Sequence, residues 1–316
     1  MSITVTILDD YQDVALAMAD WSAIPDARLD VVNEHIAGAD ALVERLASSD
    51  VVVAMRERTP FPAAVLRRLT STRLLVTTGM SNPSIDLAAA GEAGIAVAGT
   101  RASGSAVPEL TMGMIIALTR HIAEEDAAVR AGGWQHTIGP GLAGRTLGIV
   151  GLGRLGVPVA GLAQAFQLDV IAWSPNLTAE RAEPHGVTVV SKEELFIRSD
   201  IVTIHMPLSD RSRGLIGAEE LSLLGPASYL VNTSRGPIVD EAALVDALRS
   251  GAIAGAALDV YDEEPLPSDH PLRTLPNTLL LPHIGYVTTD GYRIFYGDAV
   301  EDIVAFLAGT PVRVLT

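Results

Sequence analysis

The chain has no cysteine. Disulfides, thiolate zinc sites and a cysteine nucleophile are therefore excluded, and the composition fits the reducing cytoplasm. Positive charge is scarce: 22 Lys+Arg stand against 38 Asp+Glu, a formal net charge of −16 at pH 7. A chain so acidic repels a nucleic-acid backbone, although a small anion can still bind where backbone N–H groups and a few arginines converge. Long apolar runs are also missing. The stretch near Met112 to Leu118 is far short of the roughly 20 residues needed to span a bilayer. The opening Met1-Ser2-Ile3-Thr4-Val5 lacks the basic segment of a signal peptide. Charged residues make up only 19% against 48% hydrophobic, the reverse of a disordered chain. A soluble, globular, cytoplasmic protein is expected, and 316 residues at roughly 150 per domain suggest two domains.

Short runs rich in Val and Ile alternate with Ala/Leu-rich stretches of helical spacing. Ile3–Leu8, Asp50–Val53, Leu74–Thr77 and Ile95–Ala98 read as strands, with helices over Asp40–Ala47 and Pro62–Leu69 between them. Continuous apolar strands separated by helices point to parallel sheets buried on both faces. One long helix is expected over Val107–Arg130, opened by Pro108-Glu109 and stopped by Gly132-Gly133. It suits a core, a brace between domains or a subunit interface. A second strand series follows at Thr146–Val150, Val170–Trp173, Val187–Val190, Ile201–Ile204, Tyr229–Asn232, Ala254–Leu258 and Thr278–Leu281. Helices are expected over Leu155–Phe166, Glu241–Arg249 and Ala299–Ala308, the last followed by a short tail. With no tandem repeat and no low-complexity linker, two α/β domains meeting near Gly99 to Val107 are the economical architecture.

The segment Gly151-Leu152-Gly153-Arg154-Leu155-Gly156 is a G-x-G-x-x-G directly after a strand and opening a helix. Gly151 would permit the tight turn, Gly153 the approach of a pyrophosphate, and Gly156 close helix–strand packing. The pyrophosphate would rest on free N–H groups at the helix start. Pro158 is compatible only if it lies near the first turn. An acid expected about 20 residues on, to bond the adenine ribose, is missing: the next strand ends in Ser174-Pro175-Asn176. Neither Ser174 nor Asn176 would repel a 2′-phosphate, so the choice between NAD and NADP stays open.

Three polar groups follow buried strands in the second series: Arg235, Glu264 and His283. An arginine at a strand's carboxyl end faces the crevice where open α/β sheets bind ligands, and its planar fork suits a carboxylate. Hydride transfer to a 2-keto acid needs an anion clamp, a polarised carbonyl and a proton donor near neutral pH. Arginine supplies the first two, and a histidine held by a carboxylate the third. No residue is assigned to a metal.

Taken with Asn232-Thr233-Ser234-Arg235-Gly236-Pro237, Ala257-Leu258-Asp259-Val260 through Glu264-Pro265-Leu266, Leu281-Pro282-His283, Thr78-Gly79 and Ile85-Asp86-Leu87-Ala88-Ala89, the glycine motif resembles the D-isomer-specific 2-hydroxyacid dehydrogenases along essentially the whole chain. The resemblance implies two doubly wound parallel-sheet domains with an interdomain cleft. Residues 1–100 and 287–316 would form a flavodoxin-like substrate domain, and 101–286 a Rossmann-type cofactor domain. Homodimers through the cofactor domain are typical, with Val107–Arg130 as the dimer-arm helix. Arg235 would bind substrate, Glu264 would be the acidic partner, and His283 the acid/base. Arg154, Leu155, Ser174, Met206, Pro207, Ser212 and Thr233 would contact NAD or NADP beside the three glycines, and Asp259 would orient the nicotinamide carboxamide. Thr78, Gly79 and Met80 match a loop whose backbone N–H groups hold the substrate carboxylate, although its Thr78-Gly79-Met80-Ser81-Asn82-Pro83 departs from the family's glycine/aspartate-rich version. Arg56, Glu57 and Arg58 follow another strand of that domain and are further candidates for lining the pocket.

The implied activity is interconversion of a small 2-keto acid and its D-2-hydroxy acid. Formate dehydrogenases, close relatives in this resemblance, replace the acidic partner with glutamine, so Glu264 speaks against that branch. A corepressor-like protein that senses NAD(H) on the same fold is the alternative from another class, disfavoured by the complete Arg–Glu–His set.

Overall fold

The computed structural model describes residues 2–316. Two compact units divide the chain: one runs through Ser103 and is rejoined by Val287–Thr316, the other is Gly104–Tyr286. Both are built from parallel sheet and helices.

In the first unit, β1 (Ile3–Ile7), β2 (Ala27–Val31), β3 (Val51–Ala54), β4 (Leu74–Thr77) and β5 (Ala96–Gly99) form one sheet in the order β2-β1-β3-β4-β5. All four pairings are parallel. β3 and β4 are buried at every position, the pattern of strands covered on both faces. β2 is an addition to the expected set. Arg28 and Asp30 interrupt its apolar run, and as an edge strand it tolerates them. The helix expected from Ala299 starts instead at Thr289 and runs to Leu307. Thr288 caps it, its hydroxyl accepting the Gly291 N–H at 3.0 Å, and Tyr292, Phe295 and Tyr296 bury the early turns.

The second unit carries β6 (Thr146–Val150), β7 (Asp169–Trp173), β8 (Thr188–Val189), β9 (Ile201–Ile204), β10 (Tyr229–Asn232), β11 (Gly255–Leu258) and β12 (Thr278–Leu280). Their order is β12-β11-β10-β9-β6-β7-β8. The register pairs Val150 with Ile204, Ile204 with Asn232, Asn232 with Leu258, and Leu258 with Leu280. Five neighbouring strands therefore end level, and their loops leave on one side. The strand order reverses between β6 and β9, and open α/β sheets bind ligands outside the carboxyl ends at such a point.

The single long helix expected over Val107–Arg130 is two helices, Ala106–Thr119 and Ile122–Arg130. His121 takes the left-handed conformation at φ 53°, which ends one helix and starts the next. The first helix buries Met112, Met114, Ile115 and Leu118; the second buries no residue. Among the described residues, no helix is long and apolar enough to cross a membrane.

One buried acid makes stability depend on pH. The Asp302 side chain is fully buried, its Oδ1 accepting from Arg313 Nε at 2.9 Å. Burial pushes its carboxyl up to about 7; Arg313 pulls it down, while Asp298 and Glu301 push it further up. The folded chain thus holds this proton more tightly than the unfolded chain, whose carboxyl titrates at about 4. Its stabilising contribution is complete below about pH 4 and is lost as pH rises through the folded value. Asp302→Asn should therefore gain stability relative to the wild type between about pH 5 and about pH 8. Denaturant midpoints that stay parallel across that range would remove Asp302 as the source.

Candidate active site

The loop after β6 shows why its glycines are glycines. Gly151 has φ +103°, and a Cβ there would lie 2.6 Å from Met206 Cγ and 2.7 Å from the His205 carbonyl oxygen. A Cβ on Gly156, the first residue of the helix Gly156–Ala165, would lie 2.2 Å from the Gly151 carbonyl oxygen. Both positions are closed to side chains by the protein's own backbone. Gly153 differs: a Cβ there meets nothing within 4 Å. Open space above a helix start fits the phosphates of a dinucleotide. Pro158 is the third residue of the helix, inside the first turn where its missing N–H costs little. Arg154 is exposed and Leu155 half-buried beside it.

Ser174, half-buried, follows β7, and no acid stands at this strand's tip. Arg181 reaches back to donate to the Asn176 carbonyl at 3.3 Å. After β9, His205 is buried with its Nε2 3.1 Å from Thr203 Oγ1, and burial pushes its pKa down to about 4, so the ring is neutral. Met206 and Pro207 come next. The buried Ser212 hydroxyl donates to the Pro207 carbonyl and accepts from the Ser209 N–H, each at 2.8 Å. That side chain shapes the loop from within.

The loops after β10, β11 and β12 are braced against one another. Asn232, the last residue of β10, donates to the Arg235 carbonyl at 2.9 Å and accepts the Ser234 N–H at 3.0 Å. The Ser234 hydroxyl donates to the Met206 carbonyl, tying this loop to the one after β9. Thr233 and Thr111 share a hydroxyl–hydroxyl bond of 3.0 Å. The Arg235 guanidinium donates to the Ser234 carbonyl at 2.7 Å. A Cβ on Gly236 would lie 2.1 Å from the Tyr261 carbonyl carbon, so only glycine lets the β10 and β11 loops touch.

Glu264 sits at the centre of that contact. Its Oε2 lies 2.6 Å from His283 Nδ1, and its Oε1 accepts the Tyr261 N–H at 2.9 Å. Burial pushes the Glu264 carboxyl up, but the bond and charge of His283, the Tyr261 N–H and the charge of Arg235 outweigh it and hold it below the ordinary value. The carboxylate is ionised, so His283 Nδ1 carries the proton of the bond and Nε2 is left for another partner. Tyr286 packs edge-on against the imidazole, centroids 5.5 Å apart.

His283 has φ 55°, and the turn beyond it is held by Asp259. Asp259, 1% exposed, accepts the Ile284 N–H at 2.7 Å and the Gly285 N–H at 2.8 Å, one on each carboxylate oxygen. Burial raises its pKa against those two bonds and the nearby histidine. This grip was not visible in the sequence, where Asp259 stands out only as the acid after β11.

In the first unit, the loop after β4 has its own frame. Gly79 has φ +96°, and a Cβ there would fall 1.9 Å from Arg56 Nη1. Arg56 donates from its backbone N–H to Thr78 Oγ1 at 2.8 Å and from Nη1 to the Thr78 carbonyl at 3.1 Å. The Thr78 side chain is buried, while Met80 is half exposed. The expectation that the Gly79 N–H faces a carboxylate needs correcting: it donates to Thr100 Oγ1 at 2.8 Å, because Thr100 follows the neighbouring strand β5.

With this geometry in view, comparison with known proteins is specific. A sequence model for the NAD binding domain of the D-isomer specific 2-hydroxyacid dehydrogenases matches residues 112–285, more than half the chain. The chain belongs to this family. It is 37% identical over 274 residues to the D-3-phosphoglycerate dehydrogenase of Methanocaldococcus jannaschii, covering 85% of this chain and 52% of that enzyme. The glyoxylate reductase of Aeropyrum pernix is 40% identical over 247 residues, 75% of this chain and 74% of that enzyme. The crystal structure of a phosphoglycerate oxidoreductase from Vibrio cholerae superposes with a TM-score of 0.93 at 33% identity, covering 97% of this chain and 99% of that one. The chain spans about half the length of the curated D-3-phosphoglycerate dehydrogenases it matches.

The glycine geometry separates stability from binding. Gly156→Ala should cost about 1–3 kcal/mol of strain, a fall in Tm of at least about 2 °C. Gly153→Ala should leave Tm within about 1 °C while weakening dinucleotide binding, measured by NADH fluorescence titration. Equal losses of Tm in the two variants would contradict the open space above Gly153.

Proposed function

We propose that the protein is an NAD(P)-dependent D-2-hydroxyacid dehydrogenase that works mainly as a 2-keto acid reductase. The observation that carries this is the Glu264–His283 bond of 2.6 Å at the carboxyl edge of the glycine-loop sheet, with Arg235 held one loop away. When bound, a reduced nicotinamide dinucleotide supplies the hydride. Arg235 pairs with the substrate carboxylate and polarises the C2 carbonyl. Glu264 fixes the imidazole by Nδ1, and His283 hands a proton from Nε2 to the C2 oxygen. In the oxidative direction the same nitrogen takes the hydroxyl proton back. Asp259 holds the turn beneath the histidine, and its assignment to the carboxamide rests on family resemblance. Thr78, Gly79 and Met80 remain the candidate substrate loop.

The tip of β7 supports acceptance of either cofactor, since Ser174 and Asn176 replace the acid that would repel a 2′-phosphate. The freedom from cysteine supports a cytoplasmic enzyme. The relatives named above direct the substrate search to glyoxylate and D-3-phosphoglycerate, and the 2-keto acid chemistry of the site adds hydroxypyruvate, pyruvate and longer 2-keto acids. Each should be assayed by NADH and NADPH absorbance in both directions. With the best substrate, His283→Ala and Arg235→Ala should each lower turnover at least about a hundredfold. Near-wild-type turnover in either variant would take that residue out of the mechanism. Tight NADH binding with no turnover of any of these acids would favour the sensor alternative.

We also propose a homodimer formed through the second unit. Trp134 is 75% exposed and Ile138 98%, close in sequence to a helix, Ile122–Arg130, that buries nothing. Two apolar side chains so exposed and so close in sequence support an interface at this place. Light scattering should give a dimer mass for the wild type and a monomer mass for Trp134→Asp/Ile138→Asp. A monomeric wild type would remove the dimer.

A further inference from the structure

Residues 311–316 lie along β5, an edge of the five-stranded sheet. The Gly99 N–H donates to the Arg313 carbonyl at 3.0 Å and the Leu315 N–H to the Val97 carbonyl at 2.8 Å, making an antiparallel bridge between Ala98 and Val314. Two backbone bonds hold a short edge segment weakly. The Val97 N–H also donates to Thr316 Oγ1 at 3.2 Å, and the guanidinium of Arg313 adds further ties. Its Nε donates to Asp302 Oδ1 at 2.9 Å, its Nη2 to the Asp298 carbonyl at 3.0 Å, and its Nη1 lies 2.9 Å from Glu301 Oε2. All three acceptors stand on the helix Thr289–Leu307. The side chain is 17% exposed, and such charge-assisted bonds are about twice as strong as neutral ones.

What this anchor holds in place is Leu315. A Cβ built on Gly99 would lie 2.7 Å from the Gly79 carbonyl oxygen, 3.1 Å from Met80 Cα and 3.2 Å from Leu315 Cδ1. The 79–80 loop and the Leu315 side chain thus converge on the same side of Gly99, in the space that a Cβ there would take. The next residue, Thr100, accepts the Gly79 N–H. Movement of the 311–316 segment would release β5 at Val97 and Gly99, next to Thr100, whose hydroxyl holds the Gly79 N–H.

We propose that Arg313 and Leu315 are positioning residues for the Gly79–Met80 loop: the arginine locks the segment to the acids of the helix, and the leucine packs beside the loop at Gly99. The proposal rests on the reading above that this loop meets the substrate. Neither residue touches a reacting atom, so their loss acts on substrate binding and leaves the chemical step alone.

Arg313→Gln and Leu315→Ala should each raise KM for the best 2-keto acid about five- to tenfold, with kcat and the NADH Kd within about twofold. Hydrogen exchange in the peptide covering 77–82 should be at least about tenfold faster in both. Leu315→Met, which keeps the volume, should stay within about twofold of the wild type on every measure. Unchanged exchange in both Arg313→Gln and Leu315→Ala overturns the proposal, as does a loss confined to kcat. Faster exchange with an unchanged KM overturns the link to substrate and shows that the loop is not the substrate loop. If the wild type reduces no 2-keto acid, the enzymatic reading fails by itself, and the exchange result still decides whether the segment supports the loop. Should Arg313→Gln fail to fold, Leu315→Ala carries the same measurements.

Discussion

Parallel pairing in register is the constraint from which the site follows. A parallel strand must be re-entered from the same side each time, so every loop after a strand of the seven-stranded sheet emerges at one edge. Val150, Ile204, Asn232, Leu258 and Leu280 are level partners. The residues just beyond them are accordingly neighbours, although they come from segments far apart in the chain. Nothing in the individual loops calls for this arrangement; the buried Val, Ile and Leu of the strands impose it.

Level strand ends are necessary but leave the loops free to splay. What stops them is a set of polar ties: Ser234 to Met206 and Asp259 to Ile284 and Gly285 run between loops, while Asn232 to Arg235 and Tyr261 to Glu264 stiffen single loops. Each uses a buried or half-buried donor that would otherwise be unpaired, so the ties stabilise by avoiding that cost as much as by their own strength. The Glu264–His283 pair closes the series. Its carboxylate stays charged despite burial because a ring, an N–H and a guanidinium all favour the charge.

Much of this is legible in the sequence. Alternating apolar runs and helical stretches mark the α/β class, and nine of the twelve strands have buried inner residues, so their runs are nearly continuous. β2 escaped because Arg28 and Asp30 break its run at an edge. The break at His121 escaped because a left-handed residue changes the direction of a helix without changing its hydrophobic spacing. Arg235, Glu264 and His283 were noticeable as polar residues after apolar strands. The bond between Glu264 and His283 is an outcome of register that spacing cannot supply. The double acceptance by Asp259 is hidden for the same reason, since its partners lie 25 and 26 residues away. Thr100 carries no motif at all, and only the adjacency of β4 and β5 turns it toward Gly79.

The phenol of Tyr261 has a consequence of its own. It lies 3.2 Å from the Leu258 carbonyl and 2.9 Å from the Leu281 carbonyl, one on each side of the gap where β11 and β12 stop pairing. Burial, with the charges of Asp259 and Glu264, pushes its pKa well above the ordinary tyrosine value, so the hydroxyl keeps its proton at neutral pH. It serves as one more rung of the ladder, made from a side chain after the main chain has run out. Leu281 is followed at once by Pro282, which has no N–H to offer, and then by the imidazole-bearing residue. The phenol thus pins the chain two residues before that ring, while the carboxylate of Asp259 pins it just after.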